Sequence, residues 1–209
     1  QRRNQILSGL QNSTLALIKQ TNLSETLQAI IVQAAQLVNT DHGYIYLVQS
    51  EENVIQVILG VGIFKSYQGR KLKPNEGLAG KVWQTAHPLN VRDYHTWSGQ
   101  SEQFANTVFH ATVGIPLIHD SRVIGILGLA HLDSEREFID SDVESLSYFA
   151  QLASIALENA GLFTRVQQEL AERTQAEDSL REAEAKYRNL VELLPQVVYT
   201  SELGINGAW

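Results

Sequence analysis

An α+β fold is expected for this chain: an antiparallel sheet with helices on one face, plus a long C-terminal coiled-coil helix. Three observations predict it. Apolar residues recur at helical spacing near the N-terminus and again from Asp142 onward. Between them lie two pairs of short segments rich in β-forming residues, separated by a stretch of mixed character. The last part of the chain carries a narrow apolar ladder between charged positions. With 209 residues, 44% apolar and 19% charged, the chain can bury one ordinary core and still carry extra elements.

Ile6, Leu10, Leu15, Leu17 and Ile18 make an imperfect helical stripe, so residues 1–22 are expected to form a helix of their own. Asn22 stands three residues before Glu25, a cap-like start, ahead of Leu27, Ile30, Ile31, Ala34, Ala35 and Val38. That second helix is expected to end near Asn39-Thr40-Asp41. At Gly43 the period changes. Tyr44–Val48 and Val54–Leu59 read as a hairpin around Ser50–Asn53. Gly77–Thr85 reads as a short helix and Pro88–Val91 as a short strand, followed by a loop with Asp93, Tyr94, His95 and Trp97. Thr112–Ile118 and Arg122–Leu129 read as a second strand pair around His119-Asp120-Ser121.

From Asp142 to Leu194 the only glycine is Gly161 and the first proline beyond is Pro195, a plausible stop. Ser141 with Glu144 fits a capping box. Glu precedes a basic residue by four at Glu169–Arg173, Glu177–Arg181, Glu182–Lys186 and Glu184–Arg188, an orientation that supports an exposed helix. Such a helix would be about 80 Å long. A wide stripe (Val143, Leu146, Phe149, Ala150, Ala153, Leu157, Ala160) suits packing on a domain. After it the ladder narrows to Phe163, Val166, Leu170, Leu180, Tyr187, Val191 and Leu194, interrupted by Arg173, Glu177 and Glu184. The narrow ladder predicts a homodimeric coiled coil, parallel or antiparallel; the alternative is a solvated surface helix.

Several function classes are excluded or disfavoured. With no cysteine, there is no disulfide framework, thiolate metal site or cysteine nucleophile. Net charge −7 argues against a general nucleic-acid binder. No apolar run is long enough to span a membrane, so a soluble, cytoplasmic protein is expected. The absence of methionine and the opening Gln1 suggest a fragment of a longer protein. Gly60-Val61-Gly62 lacks the rest of a phosphate-binding loop, and no nucleophile elbow is visible. His42, His87, His95, His110, His119 and His131 never fall at i, i+4, so structural roles are expected and no metal site.

Five segments in order resemble the GAF domain, a small-molecule-sensing and dimerisation module, from about Leu23 to Phe163. They are Pro74–Val82, Asn90–Asp93, Val113–Ile118, Val123–Leu129, and Phe138 with Asp142 ahead of Leu146-x-x-Phe149-Ala150-x-x-Ala153-x-x-Ala156-x-x-Asn159-Ala160. Leu180–Glu192 and Leu194–Tyr199 resemble the opening helix and first strand of a PAS domain. The resemblance implies residues 1–22 as a leading helix, 23–163 as GAF domain, 164–194 as signalling coiled coil, and 195–209 as the start of a truncated PAS domain. This order resembles bacterial sensor histidine kinases, with a diguanylate cyclase as alternative and no catalytic domain in the sequence itself. In that reading a small molecule, of unknown identity, binds among Phe64, Trp83, Asp93, Tyr94, His95, Trp97, Phe104, Phe109 and Thr112, or the aromatics merely close a core and the chain is a dimer spacer. Asp93 has a plainer role available, accepting N–H bonds in its own loop. Bilin-binding relatives attach the chromophore through Cys, so a covalent bilin is excluded. Cyclic-nucleotide binders carry Asn-Lys where Ala130-His131 stands here, which disfavours that ligand. Haem on His95 or His110 stays open.

Overall fold

The structure is a computed structural model that describes residues 23–104 and 106–205, with side chains described as far as residue 191. The expected helix over residues 1–22 and the cap at Asn22 lie outside the described residues. The chain divides into two compact units, residues 1–160 and 161–209, taken separately below.

In the first unit, helix α1 covers residues 23–37, and its predicted stripe Leu27, Ile30, Ile31, Ala34, Ala35 and Val38 is buried throughout. The helix closes on Asn39, which adopts a left-handed φ of 54°. The amides of Asn39 and Thr40 donate to the carbonyls of Gln36 (3.1 Å) and Ala35 (2.9 Å), the double bond of a Schellman ending with Asn in place of Gly.

Six strands follow: β1 (Gly43–Gln49), β2 (Val54–Val61), β3 (Lys71–Leu72), β4 (Leu89–Val91), β5 (Thr112–His119) and β6 (Arg122–Ala130). They form one sheet in the order β3-β2-β1-β6-β5-β4, antiparallel at each pairing. Both predicted hairpins and the strand near Val91 are present. The two-residue β3 and the 3₁₀ turns at Gly62–Tyr67 and Glu102–Phe104 were not expected, being too short for a periodic signal. Pro116 has no N–H to donate, and it falls beyond the stretch of β5 that pairs with β4, where one edge of the strand is free.

Strand alternation sends successive side chains to opposite faces. In β1, Ile45 and Leu47 point to one face and Tyr44, Tyr46 and Val48 to the other. The first face packs Ile45, Val113, Ile115, Leu117, Leu127 and Leu129 against α1 and against Phe138, Leu146, Ala150 and Ala153. The second is covered by α2 (Gly77–Thr85), the two 3₁₀ turns and the loops around them. The two long helices therefore share one face, as expected, while α2 lies opposite them. Register shifts at Ile45/Tyr46 and Leu117/Ile118 bend the sheet.

Helix α3 spans Asp140–Ile205. Its start differs from the expected Ser141/Glu144 box. The Asp142 carboxylate accepts the Ile139 amide at 2.9 Å, so the reciprocal bond forms at the turn that Phe138 anchors in the core. Nor does Pro195 stop the helix, and Val197–Tyr199 is helical rather than extended. A short strand without partners leaves its backbone groups unpaired, whereas a helix bonds them internally at the loss of one bond at proline. In the second unit, Arg173 pairs with Glu177 at 3.2 Å rather than with Glu169, and Arg181 lies 3.7 Å from Asp178 rather than on Glu177. Each arginine had carboxylates within reach on both sides, and these exposed contacts differ little in energy.

His131 is buried and stacks on Phe138 at 4.4 Å. Burial first, and the neighbouring charge of Arg136, hold its pKa below the ordinary 6.5. Below that value the unfolded chain takes up a proton that the folded chain refuses, so the stability due to this group is complete above 6.5 and declines as pH falls toward the lower folded value. The urea midpoint is therefore expected to fall between about pH 7 and about pH 5, and to fall less in His131→Phe. An identical decline in both proteins would assign the effect to other groups.

Candidate functional site

The second face of the sheet closes over a small cavity of about 20 Å³, enough for about one water molecule. β1 supplies Tyr44 and Tyr46, β2 Val57, β3 Leu72, and α2 Leu78 and Ala79. The Gly62–Tyr67 turn adds Phe64 and Tyr67, the segment before β5 adds Tyr94, Phe104 and Phe109, and β5 itself adds Thr112. Two glycines make room for this wall. A Cβ on Gly128 would run into the Tyr44 ring, and one on Gly114 into the Leu78 side chain.

The rings form a continuous chain. Tyr44 meets Phe64 at 4.7 Å, Phe64 meets Phe109 at 5.5 Å, Phe109 meets Tyr94 at 5.0 Å, and Tyr67 meets Phe104 at 5.4 Å. Tilted and edge-on pairs of this kind add about 0.5–1.5 kcal/mol each beyond area burial. The polar atoms of the wall are hydroxyls. Tyr44 hydrogen-bonds Thr112, whose own hydroxyl donates to the Leu129 carbonyl at 3.1 Å, and the Tyr94 hydroxyl accepts the Ser101 amide at 3.1 Å. Burial pushes the phenols of Tyr44, Tyr46 and Tyr94 above their ordinary value, so all three are neutral at physiological pH. Among the described residues no charged side chain lines the cavity.

Charges stand outside it. The Arg70 guanidinium lies 4.2 Å from the centre of the Tyr67 ring and the Lys81 amine 5.6 Å from Trp97. Glu76, just before α2, accepts from the Ser101 hydroxyl (2.7 Å), the Gln103 side-chain amide (3.1 Å) and the Lys73 backbone amide (3.0 Å). Burial alone would raise its pKa, but these bonds and the Lys73 charge outweigh that and lower it. Glu76 faces an open groove of about 790 Å³ that also includes Lys73, Lys81, Gln100 and Ser101.

A profile of the GAF domain matches residues 20–158. The chain belongs to the GAF domain family. Its fold is similar to that of the GAF domain of a phosphoenolpyruvate-protein phosphotransferase from Acinetobacter, with a TM-score of 0.61 at 19% identity over 68% of this chain and 86% of the other. A segment of a methyl-accepting chemotaxis protein gives 0.59 at 19% identity, covering 68% and 92%. A free methionine-R-sulfoxide reductase from Neisseria meningitidis, solved with its substrate, gives 0.51 at 15% identity, covering 67% and 86%.

Of the residues expected at a GAF ligand site, Phe64, Tyr94, Phe104, Phe109 and Thr112 line the cavity, while Trp83, Asp93, His95 and Trp97 do not. Trp83 and Trp97 pack, half-buried, against the outside of the same aromatic cluster. Asp93 caps its own loop, accepting the His95 amide and the Thr96 hydroxyl at 3.1 Å each. His95 meets His110 edge-on at 4.7 Å, away from the cavity lining. Among the described residues no group of three His, Asp or Glu is placed to hold a metal ion. Sequence reasoning missed Tyr44 and Tyr46. The signal was present in the alternation Tyr44-Ile45-Tyr46-Leu47, which puts both phenols on one face without saying which.

On α3, the ladder residues Val166, Leu170, Leu180, Tyr187 and Val191 are exposed, with Leu170 at 57% and Tyr187 at 72%. Phe163 is partly buried, and the side chain of Leu194 lies outside the described residues. Within the first unit, Tyr148, Leu152 and Ile155, which lie outside the expected wide stripe, add an exposed apolar strip. No helix among the described residues is long and apolar enough to cross a membrane.

Phe109 is 4% exposed, so Phe109→Ala is expected to lower the unfolding free energy by about 3–5 kcal/mol in urea titration. Trp83→Ala, on the rim, is expected to cost clearly less. Equal costs would mean that the cavity wall and its rim are a single packing unit.

Proposed function

We propose that this chain is a sensory and dimerisation module of a bacterial signal-transduction protein, of the sensor histidine kinase kind, in which the GAF unit receives a small uncharged molecule and α3 relays its state to an output domain. The observation that carries this reading is the small cavity whose lining is aromatic and aliphatic apart from a few neutral hydroxyls. Small-molecule sites combine an apolar wall with a few polar groups that set orientation. A charged ligand would enter this lining without a counter-charge, at a high desolvation cost. The chemotaxis-protein neighbour supports a signalling context for the fold. The reductase neighbour raises a catalytic alternative, but a thiol route to sulfoxide reduction has no thiol here, since the chain has no cysteine.

A second reading has an observation of its own. A cavity of about 20 Å³ is smaller than any metabolite, as expected for a GAF core that only spaces two dimer partners, or for the regulatory module of a diguanylate cyclase held by its coiled coil. Native mass spectrometry of freshly purified protein separates the readings. A retained small molecule supports the sensor; repeated preparations of bare protein favour the spacer.

In either reading the exposed ladder of α3 is the seam of a parallel homodimer, and Leu180–Glu192 with Leu194–Tyr199 is the PAS-like opening segment. Replacing Leu170 and Leu180 together with Asp puts charge into that seam and is expected to give monomers by light scattering. Unchanged dimers would remove the seam from this helix. Arg173, Glu177 and Glu184 keep the seam from one deep packing minimum, which a relay needs if two packings are to lie close in energy. Replacing all three with Leu is expected to raise the dimer's thermal midpoint and to make the parent's output indifferent to stimulus. A more stable variant that responds fully would reduce the seam to a spacer.

A further inference from the structure

The cavity is too small for anything much larger than water, so a ligand can enter only if part of its wall moves. Most of that wall is secured by backbone: β1 and β2 lie in the sheet, and α2 packs on β5 and β6. The segment Trp97–Phe104 is secured differently. Phe104 closes the cavity from this segment, while Ser101, three residues earlier, turns its hydroxyl outward to Glu76 at 2.7 Å. Gln103 reaches the same carboxylate oxygen at 3.1 Å and the Lys71 carbonyl at 3.1 Å. The Phe104 amide donates to the Ser101 carbonyl at 2.9 Å, so the two residues move as one short turn. The segment gives Phe104 to the small inner cavity and residues 98–103 to the groove of about 790 Å³.

We infer that Glu76 is the latch of an entrance to the aromatic cavity: releasing Ser101 and Gln103 from its carboxylate swings Phe104 outward and joins the cavity to the groove, admitting a small, uncharged molecule. This rests on the reading that the cavity receives a ligand. The latch is a convergence of side-chain bonds at the surface, partly open to water, and such bonds open at far lower free energy than a buried strand ladder. The Ser101 amide on the Tyr94 hydroxyl couples the same turn to the cavity's polar lining, so a ligand that took over the Tyr94 hydroxyl would loosen or reset the closed turn.

The natural absence of cysteine provides a direct test that needs no ligand. Ala79→Cys places a thiol in the cavity wall, where the native residue is 3% exposed, and Ala34→Cys places one in the opposite core at a fully buried position. Labelling of the full chain by the uncharged reagent 4,4′-dithiodipyridine then reports local opening at the first and global opening at the second. Adding Glu76→Ala, which removes the acceptor of both bonds, is expected to speed labelling at position 79 at least tenfold and leave position 34 unchanged. Ser101→Ala, which removes one latch bond without altering the start of α2, is expected to give a smaller acceleration at position 79 alone. Unchanged rates at position 79, or rates rising together at both positions in both variants, would overturn the latch. Selective acceleration in protein that never retains a small molecule leaves the latch standing and removes the sensor reading; a retained molecule without acceleration does the reverse.

Discussion

Tyr44 lies across Gly128, where no other residue would leave space for the ring, and passes its hydroxyl hydrogen bond through Thr112 to the carbonyl of Leu129. Much of the second sheet face is organised around this contact. The ring is the platform for Phe64 at 4.7 Å and Tyr46 at 5.3 Å, and through Phe64 for Phe109 and Tyr94. A buried phenol without a partner would cost about 1–3 kcal/mol. Satisfied as it is, it lets one large side chain tie β1, β5 and β6 together from above. The excursion between β2 and β5 then packs onto rings rather than onto bare sheet.

The two faces of the sheet differ in kind. The α1/α3 face is mostly aliphatic beside Phe138 and Phe149, with small residues such as Ala34, Ala150 and Ala153 that let helices approach closely. The opposite face is aromatic, and rings that meet at tilted angles fill space less uniformly than branched aliphatic chains. A residual cavity there, with hydroxyls at its edge, follows from that chemistry.

Much of this was legible beforehand. The spacing of Leu27 to Val38, the hairpin signals at Ser50–Asn53 and His119–Ser121, and the wide stripe of Leu146, Ala150 and Ala153 all reflect periods that local backbone geometry imposes. The GAF segments placed the family correctly, and Phe64, Tyr94, Phe104, Phe109 and Thr112 were selected for the cavity. Trp83, Asp93, His95 and Trp97 were selected with them because composition cannot separate the inside of an aromatic cluster from its rim. Pro195 read as a helix stop because proline's cost is local, whereas what competes with the helix there depends on which partners the chain offers.

By itself, then, the amino-acid sequence determined the kinds of element, their order and the family, since these follow from short-range periodicity, caps and turn residues. The tertiary structure alone decided which side of each alternating strand became the cavity, and so brought in Tyr44 and Tyr46. It alone set Glu76 opposite Ser101 and Gln103, partners 25 and 27 residues away. Side-chain direction in a strand is fixed only relative to its neighbours, and hydrogen bonds between loops depend on where the strands beneath them place both ends.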